Sequence, residues 1–184
     1  PKVLSFFRRW YVPNNALLVV VGIGNYHRWD PASVVRLVDV YDLVHYYLNA
    51  KYAAEIGPLD LYPCVILADH ENDGPWFPNE GDRYLAQPEG DARHVVRPIA
   101  HALDRGRTVR DTRFTPERWA AFEHDFLYLQ REARPRMTAR MWRELIRDHG
   151  YNGAPAWTTL AAPLATAVPV EAVKLLGGLD VALV

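Results

Sequence analysis

One stretch of this chain is strongly marked as an α-helix, and it constrains the fold class most. Residues 115–134 begin with Thr115-Pro116-Glu117, in which threonine can cap the helix, proline suits the first position and glutamate complements the positive helix end. Large apolar side chains follow at i, i+3, i+7 and i+10 and form one stripe: Trp119, Phe122, Phe126 and Leu129. The stripe predicts a helix that packs its aromatic face against a core or an interface.

Helical patterns also occur on both sides of this stretch. Asp30-Pro31 is typical of a helix start, and apolar residues at helical spacing predict a helix from there to about Tyr52. A second pattern covers 91–105, where Pro98 indicates either a start or a kink, and a third ends before Gly150. We therefore predict a mainly α fold, a small multi-helix domain with long irregular connectors and extended termini.

The chain is long enough for one core. With 184 residues, 49% of them apolar, a single domain covering 1–184 is expected. We divide it into an aromatic and basic N-terminal extension, a helical core with an irregular acidic connector that includes a short buried element at 64–68, and an apolar C-terminal tail. The ranges of these parts are 1–29 for the extension, 30–150 for the core, 58–90 for the connector and 151–184 for the tail.

Charge is distributed unevenly, although its net value is only -1. Residues 55–91 carry nine acids and one arginine, whereas residues 93–147 carry thirteen arginines and seven acids. This pattern indicates either two solvated faces or a bipolar surface that faces complementary neighbours in an assembly. The small net charge does not favour nucleic acid as a partner, and we expect none.

The N-terminal extension contains a strongly apolar stretch. Residues 16–24 read A-L-L-V-V-V-G-I-G and lie between Arg8-Arg9 and His27-Arg28. A membrane-spanning helix needs about 18 or more apolar residues, and the sequence has no uninterrupted run of that length. We interpret 16–24 as a buried strand or short core segment in preference to a membrane helix.

No pattern in the sequence indicates catalysis or a cofactor, and we expect neither. The seven histidines lack metal-ligand spacing, and the single cysteine, Cys64, lies in an apolar run typical of a buried small hydrophobe. Glu123-His124-Asp125 are adjacent on a predicted helix, so their side chains point in different directions. An enzyme of unrecognised type would require a deep pocket with several titratable groups of shifted pKa.

Residues 69–80, D-H-E-N-D-G-P-W-F-P-N-E, partly follow the spacing of a calcium-binding EF-hand loop. Acids occupy positions one, three, five and twelve, and glycine occupies position six. The candidate ligands are Asp69, Glu71, Asp73 and Glu80. A glutamate at position three, a tryptophan at position eight and two prolines depart from the pattern. We interpret the segment mainly as a turn-rich structural loop, and a calcium-binding regulatory or interaction module is the alternative function.

Three segments resemble one protein family. Residues 102–104 read A-L-D, and Pro116 precedes W-x-x-F-E-x-D-x-x-Y-L at 119–129. This arrangement is similar to the R-A-L-D and W-x-x-Y-E-x-[DE]-x-x-Y-L segments of the small matrix-side binding subunit of the mitochondrial cytochrome b–c1 complex. Residues 46–50, Y-Y-x-N-A, resemble the W-Y-Y-N-A segment of that family.

The resemblance implies a mostly helical, non-catalytic accessory subunit of complex III, peripheral on the matrix side of the mitochondrial inner membrane. Such a subunit packs on cytochrome b and the core proteins and assists assembly and stability; a role in another inner-membrane complex is the alternative. Its arginines would pair with acids of neighbours or with anionic lipid head groups. The residues expected to contact partners are aromatic, apolar, acidic or basic: Trp119, Phe122, Glu123, Asp125, Tyr128, Leu129, Arg97, Arg105, Arg107 and Arg110.

Overall fold

The computed structural model describes residues 17, 18, 20, 21, 43–74, 76, 82–86, 95–133, 138–147 and 155–173. The chain divides into two compact units, one made of Pro1–Asp39 with Lys174–Val184 and the other of Val40–Val173. The described part of the second unit is mainly helical with one two-stranded sheet, which confirms the predicted fold class. Of the helix predicted from Asp30, only the portion from Leu43 onward lies within the described residues.

Seven α-helices and two strands occur among the described residues of the larger unit. A π-helical turn, Leu43–Tyr47, leads into α1 (Leu48–Lys51), α2 (Ala53–Ile56) and α3 (Leu61–Glu71). The strands β1 (Arg83–Ala86) and β2 (Val95–Pro98) pair antiparallel, with Tyr84 opposite Arg97. The remaining elements are α4 (Ile99–Arg113), α5 (Pro116–Ala133), α6 (Ala139–Leu145), α7 (Pro155–Ala167) and a 3-10 turn, Val170–Ala172.

The segment predicted as an irregular acidic connector contains a deeply buried helix. In α3, every residue from Leu61 to Asp69 is buried. These residues therefore have no polar face, and the sequence shows no helical alternation of apolar and polar positions. Pro63 lies in the first turn of α3, where a missing backbone N–H removes no intrahelical hydrogen bond. The short buried element expected at 64–68 is therefore the middle of an eleven-residue helix.

Helix α4 begins within the helix predicted for 91–105 and continues beyond it to Arg113. It starts directly after Pro98, whose backbone is extended, so Pro98 marks a helix start and not a kink. A Cβ atom at Gly106 would lie 2.6 Å from the Pro63 carbonyl oxygen and 3.0 Å from the Leu67 Cβ. Glycine at position 106 thus allows α4 to cross close to α3.

Helix α5 confirms the central prediction. It begins at Pro116, and the Thr115 hydroxyl accepts a hydrogen bond from the Arg118 backbone N–H at 3.3 Å, which is the expected capping contact. The four stripe residues are all buried: Trp119, Phe122, Phe126 and Leu129. This helix contacts α1, α3, the π-helical turn and the 3-10 turn.

The apolar stretch at 16–24 is helical where the structure describes it. Leu17, Leu18, Val20 and Val21 have helical backbone, and all four side chains are exposed. The interpretation as a buried strand or core segment is therefore wrong for these positions. Among the described residues, no helix is both long and apolar enough to cross a membrane.

Candidate interaction site

The aromatic side chains predicted as partner contacts form a cluster inside the chain. Trp119 stacks on Phe122 with ring centroids 5.2 Å apart, and Phe114 meets the Trp119 ring edge-on at 5.2 Å. Tyr52 meets Phe122 edge-on at 5.1 Å. Trp119 is 7% exposed, and Phe122 and Leu129 are fully buried. The same chain covers these residues, so the structure places them in its core.

Asp125, also predicted as a partner contact, is the centre of a buried polar network. Its Oδ2 accepts a hydrogen bond from the Tyr52 hydroxyl at 2.8 Å and pairs with the Lys51 ammonium at 2.7 Å. Lys51 also donates to the Tyr47 hydroxyl at 2.9 Å, which in turn donates to the Val168 carbonyl oxygen at 3.0 Å. The network therefore connects α5 to α1 and to the end of α7, and a neighbouring subunit could not reach the Asp125 carboxylate.

The network holds Lys51 charged and both tyrosines neutral. Burial alone would lower the pKa of Lys51, but the hydrogen bond and negative charge of Asp125 outweigh it, and the pKa is raised. Burial is the main cause that raises the pKa of Tyr52, and the charge of Asp125 adds to it. Burial likewise raises the pKa of Tyr47. A lysine with a raised pKa is a poor nucleophile, so this cluster suits a structural ion pair.

The two neighbours of Asp125 in sequence behave differently. Glu123 is half-buried and its carboxylate accepts a hydrogen bond from the Asn72 amide at 3.0 Å. The exposed His124 ring has Nδ1 3.4 Å from Asp125 Oδ1 and Nε2 3.4 Å from Glu171 Oε1. Tyr128, another predicted contact, is half-buried one turn further along α5. The three polar side chains at 123–125 do not converge on one point.

The acidic and arginine-rich segments pair with each other within the chain. Arg105 makes a bidentate pair with the buried Asp60 at 2.7 and 2.9 Å, and Arg113 adds a contact at 3.2 Å. Further pairs that join the two segments are Arg110–Glu71 at 2.5 Å, Arg118–Glu55 at 2.6 Å and Arg143–Asp82 at 3.6 Å. At these positions the acidic and arginine-rich segments therefore form ion pairs with each other, and Arg105 and Arg110 pair with acids of their own chain.

Arg97 and Arg107 are the predicted arginine contacts that the structure exposes. Arg107 pairs with Asp104 at 3.0 Å, three residues earlier on α4, and both side chains face solvent. Such surface pairs contribute little to stability, so Arg107 can exchange partners at low cost. Arg97 is exposed on β2.

The candidate calcium ligands do not form a loop in the described residues. Asp69 and Glu71 belong to α3, where Asp69 is buried and accepts a hydrogen bond from the Gln130 amide. Glu71 pairs with Arg110, and Asp73 has a left-handed backbone at φ 50. Glu80 lies outside the described residues. In the part of the chain that is described, no group of three or more His, Cys, Asp and Glu side chains could hold a metal ion.

Among the described residues of the larger unit, α7 carries an exposed apolar face, and the sequence predicted this segment only as part of the apolar tail at 151–184. Its members fall at i, i+3, i+4 and i+7 from Leu160: Leu160, Pro163, Leu164 and Ala167. Leu160 is 78% exposed and Leu164 is 51% exposed, whereas Ala165 is buried on another side of the helix. The signal was present in the sequence, because residues 155–170 contain no ionisable side chain.

No protein-family model, curated protein or solved structure matches this chain. The candidate site therefore rests on the chain's own geometry. We define it as the α7 face (Leu160, Pro163, Leu164 and Ala167). Arg97 on β2 and Arg107 on α4 are separate exposed candidate contacts. The buried network around Asp125 connects α5 to the end of α7 and so supports the helix that carries this face.

Proposed function

We propose that this chain is a non-catalytic accessory subunit of a mitochondrial respiratory complex, specifically the cytochrome b–c1 complex. It docks peripherally on the matrix side of the inner membrane, against cytochrome b and the core proteins, and assists assembly and stability. One observation carries the proposal. The segments at 46–50 and 119–129, on which the family resemblance rests, are linked in the structure through Tyr47, Lys51 and Asp125.

The residues that carry the resemblance contribute to the packing and ion pairing of one helix junction. Asp125, the second acid of the W-x-x-F-E-x-D pattern, holds Lys51 and Tyr52 directly after the 46–50 segment. Phe122 of the same pattern packs edge-on against Tyr52. In this chain, Phe122 and Asp125 of the pattern therefore hold the helix junction that directly follows the 46–50 segment.

Partner contacts in this proposal come from exposed side chains and not from the buried stripe. Fully burying a leucine that was exposed contributes about 1.5–3 kcal/mol, so Leu160 and Leu164 would be the main apolar contacts. Uncharged residues around them avoid the cost of burying charge without a partner. Arg97 and Arg107 would contact acids of a partner elsewhere on the surface, where exposed charges affect association rate and specificity.

Co-purification tests the proposal directly. A tagged chain expressed in mitochondria is solubilised with the inner membrane in mild detergent, and the proteins that elute with it are identified. We expect subunits of the b–c1 complex, and their loss with the double variant Leu160→Asp and Leu164→Asp. The control is Ala120→Asp, which adds one such charge at an exposed position on α5.

Each outcome of that experiment decides something. Recovery of a different inner-membrane complex would replace the proposed partner while keeping the docking role. Elution of the chain as a monomer without any membrane subunit would overturn the proposal. Equal loss with Ala120→Asp would show that the α7 face is not the contact.

A further inference from the structure

Strand β2 is exposed on both faces of the two-stranded sheet. All four of its residues, Val95–Pro98, are exposed, and the side chains of a strand alternate between its two faces. Val95 and Val96 are 38% and 39% exposed, one on each face. Strand β1 differs, because its Tyr84 is buried. Strand β2 therefore lies outside the core, and among the described residues β1 is its only partner strand.

An exposed strand of this composition can pair with a strand of another molecule. Valine favours strands, and an edge strand presents backbone N–H and C=O groups that another chain can bond. A sheet of only two strands is marginally stable, so a third strand would add stability. Proteins prevent such pairing by placing proline or charged side chains at the edge. We therefore examined which backbone groups β2 offers at its outer edge.

The register shows which backbone groups of β2 point away from β1. The Ile99 N–H donates to the Asp82 carbonyl oxygen at 2.7 Å, so these two residues are a hydrogen-bonded pair of the ladder. Hydrogen-bonded and non-hydrogen-bonded pairs alternate along antiparallel strands. Counted from that first pair, Val96 and Pro98 belong to non-hydrogen-bonded pairs. The backbone groups of these two residues therefore face the outer edge.

Most of these outward groups are withheld from a further strand. Pro98 has no backbone N–H, and it is the N-cap of α4, the position whose carbonyl accepts the first hydrogen bond of a helix. The Val96 carbonyl oxygen accepts a hydrogen bond from the Arg83 guanidinium at 3.2 Å. Arg83 lies on β1 opposite Pro98, so its side chain crosses β2 to reach this carbonyl. Of the two residues, only the Val96 N–H remains for another strand.

The charge at this edge also opposes pairing between two copies of the chain. Arg83 and Arg97 are both exposed, and they lie on neighbouring strands. A second copy that paired through the same edge would bring two further arginines to it. Like charges on neighbouring strands are destabilising. The hydrogen bond of Arg83 and its charge thus act in the same direction.

We propose that Arg83 keeps this chain from self-association by closing the outer edge of β2, with Pro98 as a second barrier. Two copies could pair β2 with β2 only after Arg83 of each copy has left the Val96 carbonyl oxygen. Each departure costs one hydrogen bond of a charged donor and brings like charges closer together. The exposed valines can therefore stay in water without recruiting a further strand.

This inference is independent of the proposed function, because it rests on the sheet and not on the α7 face. The two ideas have separate tests. Co-purification with a membrane complex tests the docking, whereas self-association of the purified chain tests the closed edge. Either can fail while the other holds.

Sedimentation velocity of the purified full chain over a series of concentrations measures self-association. We expect Arg83→Ala to self-associate at least about tenfold more strongly than the wild-type chain, because two hydrogen bonds of charged donors no longer have to be broken for each pair of copies. The matched control is Arg107→Ala, which removes an exposed arginine of α4. It should self-associate no more than the wild-type chain does.

A second substitution identifies the edge that pairs. Val96→Pro, added to Arg83→Ala, removes the last outward donor without removing a hydrogen bond to β1, and proline is tolerated at such edge positions. Self-association should return to the wild-type level. Amide hydrogen exchange checks the geometry without any variant. The Val96 amide should exchange fast, and the Arg97 amide, which is bonded to β1, should exchange slowly.

Three results would overturn the inference. The first is equal self-association of the wild-type chain and Arg83→Ala. The second is self-association of Arg83→Ala that Val96→Pro leaves unchanged, since another surface would then be responsible. The third is slow exchange of the Val96 amide in the wild-type chain, because the outer edge would then already be occupied. Circular dichroism of each variant guards against a folding defect; if Arg83→Ala or the double variant lowers the melting temperature, the exchange rate of the Val96 amide decides.

Discussion

Helices α5 and α7 both carry apolar side chains at helical spacing, yet the chain covers the face of only one. Trp119, Phe122 and Leu129 of α5 lie inside the aromatic cluster, while Leu160 and Leu164 of α7 are exposed. The two helices also differ in their polar residues. Those of α5 are engaged by Lys51, Tyr52 and Asn72, whereas α7 has none that ionise. Helical period therefore predicts that a face is apolar, but the period alone does not show whether the same chain covers that face.

The largest difference between the two helices should appear on truncating one apolar side chain in each. Phe122→Ala removes a fully buried ring in contact with Tyr52, Phe114 and Trp119. We expect the free energy of unfolding to fall by about 3–5 kcal/mol. Leu160→Ala should change it by less than about 0.5 kcal/mol, because the side chain is exposed. Chemical denaturation measures both, and equal effects would remove the distinction between the faces.

The polar support of α5 provides the next prediction. Asp125→Ala leaves the Lys51 ammonium, 13% exposed, without its carboxylate. We expect a loss of about 3 kcal/mol in the free energy of unfolding, because an uncompensated charge stays partly buried. Adding Lys51→Met to that variant should recover much of the loss. If the double variant is less stable than Asp125→Ala by a further full increment, the two residues are not a pair.

The sequence predicted the features of this contrast that have local signals, and it missed those that depend on residues far apart in the chain. Helix α5 was predicted correctly because its cap, its first-position proline and its stripe are local signals. Helix α3 was missed because it is buried on all sides and so has no period of its own. The stretch at 16–24 was interpreted as a buried strand or short core segment because its apolar run is only nine residues long.

The candidate site was harder to predict than the fold. A residue such as Trp119 shows the same spacing whether its own chain or a partner covers it, so the sequence could not separate core from surface. The pairing of Arg105 with Asp60 joins residues 45 positions apart, and that of Tyr52 with Asp125 joins residues 73 apart. Neither pairing has a local signal. The α7 face had one, an uncharged run with leucines one turn apart, but its exposure became visible only in the structure.

A smaller effect on stability is expected at alkaline pH. It comes from a titratable residue in the core of the larger unit, and the α7 face has no such residue. Burial raises the pKa of Tyr84 from 10.0 to about 12, and its hydroxyl lies 2.9 Å from His101 Nδ1. The folded state therefore holds this proton more tightly than the unfolded chain. The stabilisation by neutral Tyr84 is fully present below pH 10. As the pH rises toward 12 this stabilisation is lost, and the free energy of unfolding falls by on the order of 2 kcal/mol.

Denaturation at a series of alkaline pH values checks this expectation. Tyr84→Phe should reduce the decline between pH 10 and 12, after allowance for its lower stability near neutral pH from the lost hydrogen bond. Tyr46→Phe is the matched control, because Tyr46 is only half-buried. A decline of the same steepness in the Tyr84 variant would mean that another group causes it.

The smallest predicted effect contrasts two arginines of α4 that the sequence treats alike. Arg105 makes a bidentate pair with the buried Asp60, whereas Arg107 makes one contact with the exposed Asp104. Hydrogen bonds to charged groups contribute about 1.5–3 kcal/mol, and the partial exposure of Arg105 places Arg105→Gln near the lower limit. Arg107→Gln should cost less than about 0.5 kcal/mol, which is typical of surface pairs.

The same two variants also separate folding from docking. Arg107→Gln should weaken co-purification with the complex without changing the denaturation midpoint, whereas Arg105→Gln should change the midpoint first. A reversal of these two results would mean that Arg105 faces the partner and that its pairing with Asp60 is not maintained in the assembly.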